Sequence, residues 1–304
     1  MSIFAIDLGG TNIRAAAVER TGMILADDQA KTPKDLIPNG LVALISKLHR
    51  GLAKKAGGNK KFAAAAIAVP APASENGDGI LSKVPNIPSL EGMQLLRPVS
   101  EALGLPVVIE NDATAAAIGE NWVGASRKVN TSILLTLGTG IGGGLIINGE
   151  AFRGPDGSAG EIGHFCVEPD GYACGCGSRG CLEQYGSAQA VMRMANELGM
   201  NAGSSEAVYR LAVSGDRDAR RIFSEMGKYL GIVSAGLINT LDPDMVVFGG
   251  KVAGAFGLFS PRLRSEIRSR AFPAPAVRCR IVKGKLGDHA GLIGAARSAI
   301  LRFG

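Results

Sequence analysis

The stretch Leu137-Gly-Thr-Gly-Ile-Gly-Gly-Gly144 decides the fold of this chain, together with its counterpart Asp7-Leu-Gly-Gly-Thr-Asn12 near the start. Each glycine cluster joins two short apolar segments of strand-like composition, which are residues 131–137 and 145–147 in the later case. Because glycine has no Cβ, backbone N–H groups in such turns can converge on phosphate oxygens. Two strand–turn–strand units about 130 residues apart therefore predict a duplicated α/β architecture with a ligand between its halves.

Two other kinds of glycine-rich nucleotide site are excluded by the surrounding sequence. Residues 138–143 satisfy the pattern GxGxxG, but the dinucleotide fold needs a helix directly after these glycines. Here the glycines lead into Leu145-Ile-Ile-Asn148-Gly149, which indicates a strand closed by an Asn-Gly hairpin turn. The P-loop pattern GxxxxGK[ST] does not occur in the sequence.

A third strand-like segment, Met245-Val-Val-Phe248, meets a further glycine pair, Gly249-Gly250. One glycine turn alone could be an ordinary hairpin, whereas three glycine sites after strands indicate a site for nucleotide phosphates. Asp7 could hold Mg²⁺ through water, because Mg²⁺ is bound by few carboxylates and keeps much of its hydration. Additional side-chain donors are Thr11, Asn12 and Thr139.

Composition narrows the class of protein. The 304 residues are 46% hydrophobic and 20% charged, which predicts two ordered domains or one large one. Aromatic residues at 5% argue against a base-stacking nucleic-acid platform, and a net charge of +6 suits an anionic small substrate. Apolar residues at helical spacing over 38–56 and a final helix over 291–301 accompany the strands.

The motifs resemble those of the ROK family of sugar kinases and repressors, within the actin/hexokinase/Hsp70 ATPase superfamily. Further segments that carry the resemblance are Glu110-Asn-Asp112, Gly160-Glu-Ile-Gly-His164 and Cys174-Gly-Cys176-Gly-Ser-Arg-Gly-Cys181-Leu-Glu183. The resemblance spans about residues 3–300 and implies an actin/hexokinase-like (ribonuclease H-like) duplicated α/β fold, with two domains around a cleft. The implied small domain is 1–112 plus about 287–304, with a closing C-terminal helix, and the large domain is 113–286.

One imidazole and three thiols have metal-ligand spacing in His164-x9-Cys174-x-Cys176-x4-Cys181. They form the donor set of a closed tetrahedral zinc site, and without an open coordination position the zinc would be structural. Scattered buried cysteines beside a surface histidine are the alternative. Four of the five cysteines lie between 166 and 181, which does not fit a disulfide framework. Cys166 and Cys279 are expected to be small core residues.

The resemblance also implies roles for single residues. The ATP and Mg²⁺ residues are Asp7, Gly9, Gly10, Thr11, Asn12, Gly138, Thr139, Gly140, Gly249 and Gly250. The sugar-binding residues are Ala71, Asn86, Asn111, Asp112, Glu161, His164 and Glu183. Asp112 is the predicted catalytic base that accepts the proton of the attacking hydroxyl. Helix capping by Asn111 or Asp112 and a merely loop-bound Glu161 are the alternatives.

The implied reaction is ATP-dependent phosphorylation of a hexose, with glucose at its 6-hydroxyl as the first choice. Glu161 stands where family members acting on glucose or N-acetylglucosamine have glutamate. Ala71 replaces a family glycine whose backbone approaches the sugar, which is a departure from the family pattern. N-acetylglucosamine, mannose, fructose and N-acetylmannosamine stay open as substrates, and polyphosphate stays open as the donor.

A sugar-sensing regulator of the same family without a DNA-binding domain is the alternative from another class. Because the first phosphate motif begins at Asp7, we expect no preceding helix-turn-helix segment, and the chain keeps Asp112. An acid at position 7 also comes too early for a signal peptide, and no apolar run is long enough to span a membrane. We expect a cytoplasmic homodimer that binds ATP and a hexose, with no nucleic acid and no membrane as partner.

Overall fold

The structure, a computed structural model, describes residues 2–33, 36–58, 61–71, 81 and 87–304. Asn86, one of the predicted sugar-binding residues, lies outside them. The first part of the chain begins with three consecutive strands and then alternates helices and strands. Its elements are β1 (Ser2–Leu8), β2 (Asn12–Glu19), β3 (Ile24–Lys31), α1 (Pro38–Lys55), β4 (Phe62–Val69), α2 (Leu96–Leu103), β5 (Val107–Asn111) and α3 (Asp112–Trp122).

The second part repeats this plan with more helices between its strands. Its elements are β6 (Ser132–Leu137), β7 (Ile141–Ile147), β8 (Glu150–Phe152), α4 (Glu183–Gly186), α5 (Ala188–Glu197), α6 (Ser205–Ser214), α7 (Arg217–Leu241), β9 (Met245–Gly249), α8 (Phe256–Arg270), α9 (Pro273–Arg278), β10 (Arg280–Lys283) and α10 (Ala290–Phe303). The predicted helices at 38–56 and 291–301 correspond to α1 and α10. None of the described helices combines the length and the apolar character that a membrane crossing requires.

Both sheets have the same strand arrangement. The first sheet has the order β3-β2-β1-β4-β5, and the second has the order β8-β7-β6-β9-β10. In each sheet the first three strands in sequence form antiparallel pairs with their neighbours. The fourth strand pairs in parallel with the first, and the fifth pairs in parallel with the fourth. The predicted duplication of an α/β unit is therefore confirmed.

Apolar residues cover both faces of each sheet. Along β1, Phe4 and Ile6 belong to the core shared with α1, and the alternate residues Ile3 and Ala5 belong to the core shared with α10. On the second sheet α3 packs on one face, and α5, α6, α7 and α8 pack on the other. Because α10 packs on the first sheet and α3 on the second, these two helices lie between the sheets. The domain boundaries at 112 and about 287 remain a prediction.

The crossing of α3 and α10 brings their backbones into direct contact. A methyl group on Gly294 of α10 would lie 1.6 Å from the carbonyl oxygen of Ala115 in α3. Only glycine at position 294 permits so close an approach. The crossing also places the first turns of both helices, at Asp112 and Ala290, beside one cavity between the sheets.

The second glycine cluster forms a turn and also allows other segments to pack closely against the strand. β7 begins at Ile141, four residues before the apolar segment that suggested it, so that three of the glycines lie within the strand. Added methyl groups on Gly143 and Gly144 would meet the carbonyl oxygens of Gly160 and Ala113 at 2.3 and 2.6 Å. These strand glycines let α3 and the 160–164 segment lie directly against β7.

The two cysteines outside the predicted metal site differ in burial. Cys279 is buried in the second core, as expected. Cys166 is exposed, so the expectation of a core residue is wrong there. The reason is that Cys166 lies in an irregular surface segment, where it forms an isolated antiparallel bridge with Cys181.

Candidate active site

A cavity of about 180 Å³ lies between the two sheets at the N-terminal ends of α3 and α10. The predicted site residues in its lining are Asp7 of β1, Asp112 of α3, and Gly249 and Gly250 after β9. The N-terminal end of a helix is the positive end of its dipole, which favours anions. Two such termini at one cavity make it a site suited to phosphate groups.

Asp112 is placed by the end of β5 and the start of α3. Its Oδ1 accepts a hydrogen bond of 2.7 Å from the backbone N–H of Ala113. Burial raises the pKa of Asp112 to about 7, and the carboxylates of Asp7 and Glu161 act in the same direction. A carboxyl group that exchanges its proton near neutral pH is suited to act as a general base.

Asp7 lies opposite Arg14 in the β1–β2 hairpin. Burial raises the pKa of Asp7; the Arg14 guanidinium opposes this shift, and the Asp288 carboxylate adds to it. Arg14 Nη2 in turn donates to Asp288 Oδ2 at 3.0 Å, which connects β2 to the segment just before α10. Two acidic groups with impeded ionisation, Asp7 and Asp112, line one cavity. They fit a hard divalent cation such as Mg²⁺, which oxygen donors bind.

The first glycine turn, residues 9–11, connects β1 to β2. Gly9 N donates to Asn12 O at 3.1 Å, and Thr32 at the end of β3 donates from its hydroxyl to Gly9 O at 2.6 Å. Gly10 and Thr11 at the tip are exposed. The N–H groups of the tip are therefore not covered by side chains of the chain's own core.

The second glycine turn is held by Glu183. Gly138 N donates to Gly140 O at 2.9 Å, and Glu183 Oε2 accepts a hydrogen bond of 2.9 Å from Ile141 N. A methyl group on Gly140 would lie 2.0 Å from the same carboxylate oxygen. Glu183, predicted as a sugar residue, thus stabilises the turn that carries the exposed Thr139, and its contact with a sugar remains a prediction.

Asn111 acts as the N-cap of α3, which was the alternative to a sugar-binding role. Its Oδ1 accepts hydrogen bonds from Ala113 N at 3.1 Å and Thr114 N at 3.0 Å. Its Nδ2 donates to the carbonyl of Ala71 at 3.2 Å, so two predicted sugar residues contact one another. The capping interpretation is confirmed, and sugar binding by Asn111 and Ala71 remains a prediction.

The 160–164 segment places Glu161 and His164 beside each other. His164 Nε2 lies 3.8 Å from Glu161 Oε2, and His164 Nδ1 lies 3.7 Å from Cys174 Sγ. One ring nitrogen therefore faces the cysteines and the other faces a carboxylate. The electrostatic effect of Glu161 on Asp112 indicates that this segment is close to the predicted base.

The four predicted metal ligands are brought together. The ligand atoms of His164, Cys174, Cys176 and Cys181 all lie within 4.8 Å of one another. The two sulfurs of Cys176 and Cys181 are 3.6 Å apart. Sulfurs bound to one tetrahedral zinc at about 2.3 Å would lie about 3.8 Å apart, so the spacing and the donor atoms both fit Zn²⁺.

Sequence reasoning missed four charged residues of the cavity lining, namely Arg14, Glu120, Lys283 and Asp288. Glu120 is buried, and its two carboxylate oxygens accept hydrogen bonds from Ala125 N at 2.6 Å and Leu286 N at 2.8 Å. It thereby holds the segment after β10 against α3. Arg14 could have been found from the hairpin register, because it lies opposite Asp7. No local pattern marks the other three.

Proteins similar to this chain are known both by sequence and by structure. The model of a family described as ROK family matches residues 3–301. A glucokinase of Thermotoga maritima is 32% identical over 320 residues, which cover 100% of this chain and 99% of the relative. A xylose repressor of Caldicellulosiruptor bescii is 31% identical over 313 residues, which cover 98% of this chain and 78% of the repressor.

Among solved structures, a ROK family glucokinase from Streptomyces griseus in complex with glucose and AMPPNP has a TM-score of 0.86 and 32% identity. The match covers 99% of this chain and 100% of that chain. The two sheets, the helices between them and these matches define an actin/hexokinase-like protein. The chain belongs to the ROK family.

Proposed function

We propose that this ATP-dependent sugar kinase of the ROK family phosphorylates glucose at its 6-hydroxyl. The observation that carries the proposal is the position of Asp112. A carboxyl group whose pKa is raised to about 7 lines a cavity at two helix N-termini, beside Asp7 and Gly249-Gly250. This arrangement supports the assignment of a proton-accepting group beside a phosphate-binding site. Transfer of a phosphoryl group to an alcohol needs both.

In this mechanism ionised Asp112 accepts the proton of the sugar hydroxyl and orients its oxygen in line with the γ-phosphorus. Phosphoryl transfer has a loose transition state, so alignment and neutralisation of charge do most of the work. The N–H groups of the glycine turns and of the first turn of α10 would hold phosphate oxygens. Asp7 would hold Mg²⁺ through water, and the bound ion would supply charge neutralisation at the phosphates.

Glucose as the substrate is supported by the glucokinases among the relatives, and Glu161 fits either glucose or N-acetylglucosamine. His164 Nε2 and the Glu161 carboxylate offer a donor or acceptor pair, which suits neighbouring sugar hydroxyls. N-acetylglucosamine, mannose, fructose and N-acetylmannosamine are the competing substrates.

A panel of these five sugars with ATP, followed by identification of the phosphorylated carbon, tests the proposal. We expect the highest kcat/KM for glucose and a 6-phosphate product. The same assay with polyphosphate in place of ATP tests which phosphoryl donor the protein uses. A higher kcat/KM for an N-acetylhexosamine would overturn glucose as the substrate but leave the kinase chemistry intact, whereas no ATP consumption with any sugar would contradict both.

The likeness to a xylose repressor supports a second candidate, a sugar-sensing regulator. Such a protein needs sugar binding but no base, so the same panel separates the two. Sugar binding measured by calorimetry without turnover would support the regulator. Turnover that depends on Asp112 would exclude it as the main function.

We also infer that His164, Cys174, Cys176 and Cys181 hold a structural zinc ion. Bound zinc would hold the His164 ring through Nδ1, so that Nε2 stays free to face the sugar. We expect one zinc per chain by metal analysis, and loss of zinc in Cys176→Ser with a raised KM for sugar. The control Cys279→Ser lies outside the cluster and should retain zinc. Wild-type protein without stoichiometric zinc would contradict the assignment.

A further inference from the structure

A second cavity, of about 950 Å³, lies at the C-terminal ends of α3 and α10. It shares no lining residue with the active-site cavity at their N-terminal ends. Its walls come from both halves of the chain, with β5 and α10 on one side and β7, β8 and the loop 123–131 on the other. Cavities of this size, about 300–1,000 Å³, are typical of sites for small organic ligands. We call it the basic cavity.

Two pairs of cationic side chains line the basic cavity. Arg127 and Lys128 lie in the loop after α3, and Arg297 and Arg302 lie near the end of α10. None of the four has an ion pair with a carboxylate among the described residues. Pairing is common elsewhere in this chain, since Arg262 and Arg270 both contact the carboxylate of Glu266.

The acidic residues of the lining do not neutralise these four cations. Glu110 is 2% exposed and is already paired with Arg153, whose Nη2 lies 2.8 Å from Glu110 Oε2. Ser298 donates a further hydrogen bond of 3.0 Å to the same oxygen. Glu110 therefore has its own partners in the floor of the basic cavity, and Glu150 is the other acidic group in the lining. The cavity keeps an excess of positive charge.

Helix dipoles account for only part of this charge. The C-terminal end of a helix favours cations in its last turn, which explains Arg302 near the end of α10 without any ligand. The effect decays within that turn, so it does not explain Arg127 and Lys128, which lie in the loop five and six residues after the end of α3. Arg127 and Lys128 are therefore the cations of the cavity whose presence a bound anion would explain.

The loop that carries Arg127 and Lys128 is fixed in place. Asn121 of α3 donates from Nδ2 to the carbonyl oxygens of Ser126 at 3.1 Å and Val129 at 2.9 Å, on either side of the two cations. Lys128 has φ +63°, a left-handed conformation that is uncommon for a residue other than glycine. Backbone held in such a conformation by its surroundings clusters at ligand sites, and a preorganised loop loses little entropy on binding.

We propose that the basic cavity binds a small organic anion with two phosphate groups. The two cation pairs, one from the loop and one from α10, would each take one phosphate. Trp122, whose ring contacts the Arg297 guanidinium at 5.1 Å, and the 67% exposed Leu301 offer apolar surface for the carbon skeleton between them. Because the walls belong to both halves of the chain, the ligand would contact both.

Fructose 1,6-bisphosphate is the probe for this site, titrated by calorimetry into the full chain with AMPPNP and Mg²⁺ saturating the active-site cavity. We expect one saturable site per chain, with binding that weakens as salt rises. The variant Arg127→Gln/Lys128→Asn should bind at least tenfold more weakly. Asparagine is chosen at 128 because it accepts the left-handed backbone, and an unchanged thermal midpoint would show that the variant is folded.

The matched control is Arg217→Gln/Arg221→Gln, which removes the same charge from the exposed start of α7, and it should bind like the wild type. Absence of saturable binding at millimolar probe would overturn the proposal. Equal affinity of the loop variant and the wild type would do the same. Citrate that binds more tightly than the bisphosphate would overturn the assignment to phosphate.

Discussion

Asp112 lies where the β5 strand ends and the α3 helix begins, and its surroundings oppose its ionisation. Burial is the main cause, and the carboxylates of Asp7 and Glu161 add to it, so that the pKa rises to about 7. The base of the proposed mechanism must be ionised to accept a proton, so in that mechanism the kinase keeps a charge that the folded state disfavours. Activity and stability therefore make opposite demands on this residue.

Replacement of Asp112 by asparagine should reduce kcat by at least about a hundredfold, the lower range for loss of a general base. The amide keeps the shape of the side chain and can still accept the Ala113 N–H, so sugar binding should persist. The measurements are ATP consumption and calorimetric titration of glucose. Turnover near that of the wild type would refute the role of Asp112.

The pH dependence of the wild type should follow the same carboxyl group. Because the proton-accepting form exists above a pKa of about 7, kcat/KM for the sugar should fall about tenfold per pH unit below that value. A kcat/KM that is flat between pH 5.5 and 7 would contradict this assignment.

The Asp112→Asn variant should also be more stable than the wild type at pH 8. In the unfolded chain the carboxyl ionises near pH 3.9, whereas the folded state retains its proton to about pH 7. Wild-type stability therefore declines as pH rises between these values, and the variant lacks this loss. We expect the advantage to grow from near zero at pH 4 to about 4 kcal/mol at pH 8 in urea unfolding. A stability advantage of the variant that does not change with pH would show that another effect causes it.

At the scale of secondary-structure elements, glycine clusters of similar sequence have different structural roles. The residue 9–11 turn has an exposed tip, the residue 138–140 turn is held by Glu183, and Gly143 and Gly144 allow α3 to lie on β7. A glycine run in sequence indicates close approach of some group to the backbone. Whether that group is a phosphate or a helix depends on what the fold places beside the glycine.

Gly250 offers a test at this scale. It has φ +80°, and a methyl group there would lie 2.4 Å from the Leu137 carbonyl oxygen. Gly250→Ala should lower the free energy of unfolding by about 2 kcal/mol or more and raise KM for ATP, because this residue lines the active-site cavity. The control Gly254→Ala, where an added methyl group has open space, should change neither value appreciably. Equal behaviour of the two variants would contradict the steric argument.

For the molecule as a whole, the contact of α3 with α10 joins the halves. Each helix packs on a different sheet, and each begins at the active-site cavity. Small residues at the crossing bring the two first turns close enough to face one ligand. The predicted homodimer and cytoplasmic location remain predictions of the sequence.

Gly294→Ala should destabilise the protein by about 3 kcal/mol or more, since the added methyl group would lie 1.6 Å from a backbone oxygen that cannot move without shifting α3. Gly236→Ala, at an exposed position of α7 with free space, should instead stabilise by up to about 1 kcal/mol through helix propensity. Thermal and urea unfolding of both variants make the comparison. A neutral Gly294→Ala variant would show that the crossing is looser than described.

The sequence by itself determined the duplicated α/β plan, the two glycine turns between strands, the His/Cys cluster and the position of Asp112. These features depend on local chemistry, because a glycine turn between two strands and ligands within 18 residues need few distant contacts to form. Tertiary structure alone decided the raised pKa of Asp112, the turn-holding role of Glu183 and the cavity-lining roles of Glu120 and Asp288. Those depend on groups far apart in the chain, such as Leu286 N and the Glu120 carboxylate, 166 residues apart, which only the packing of α3 and α10 between the sheets brings together.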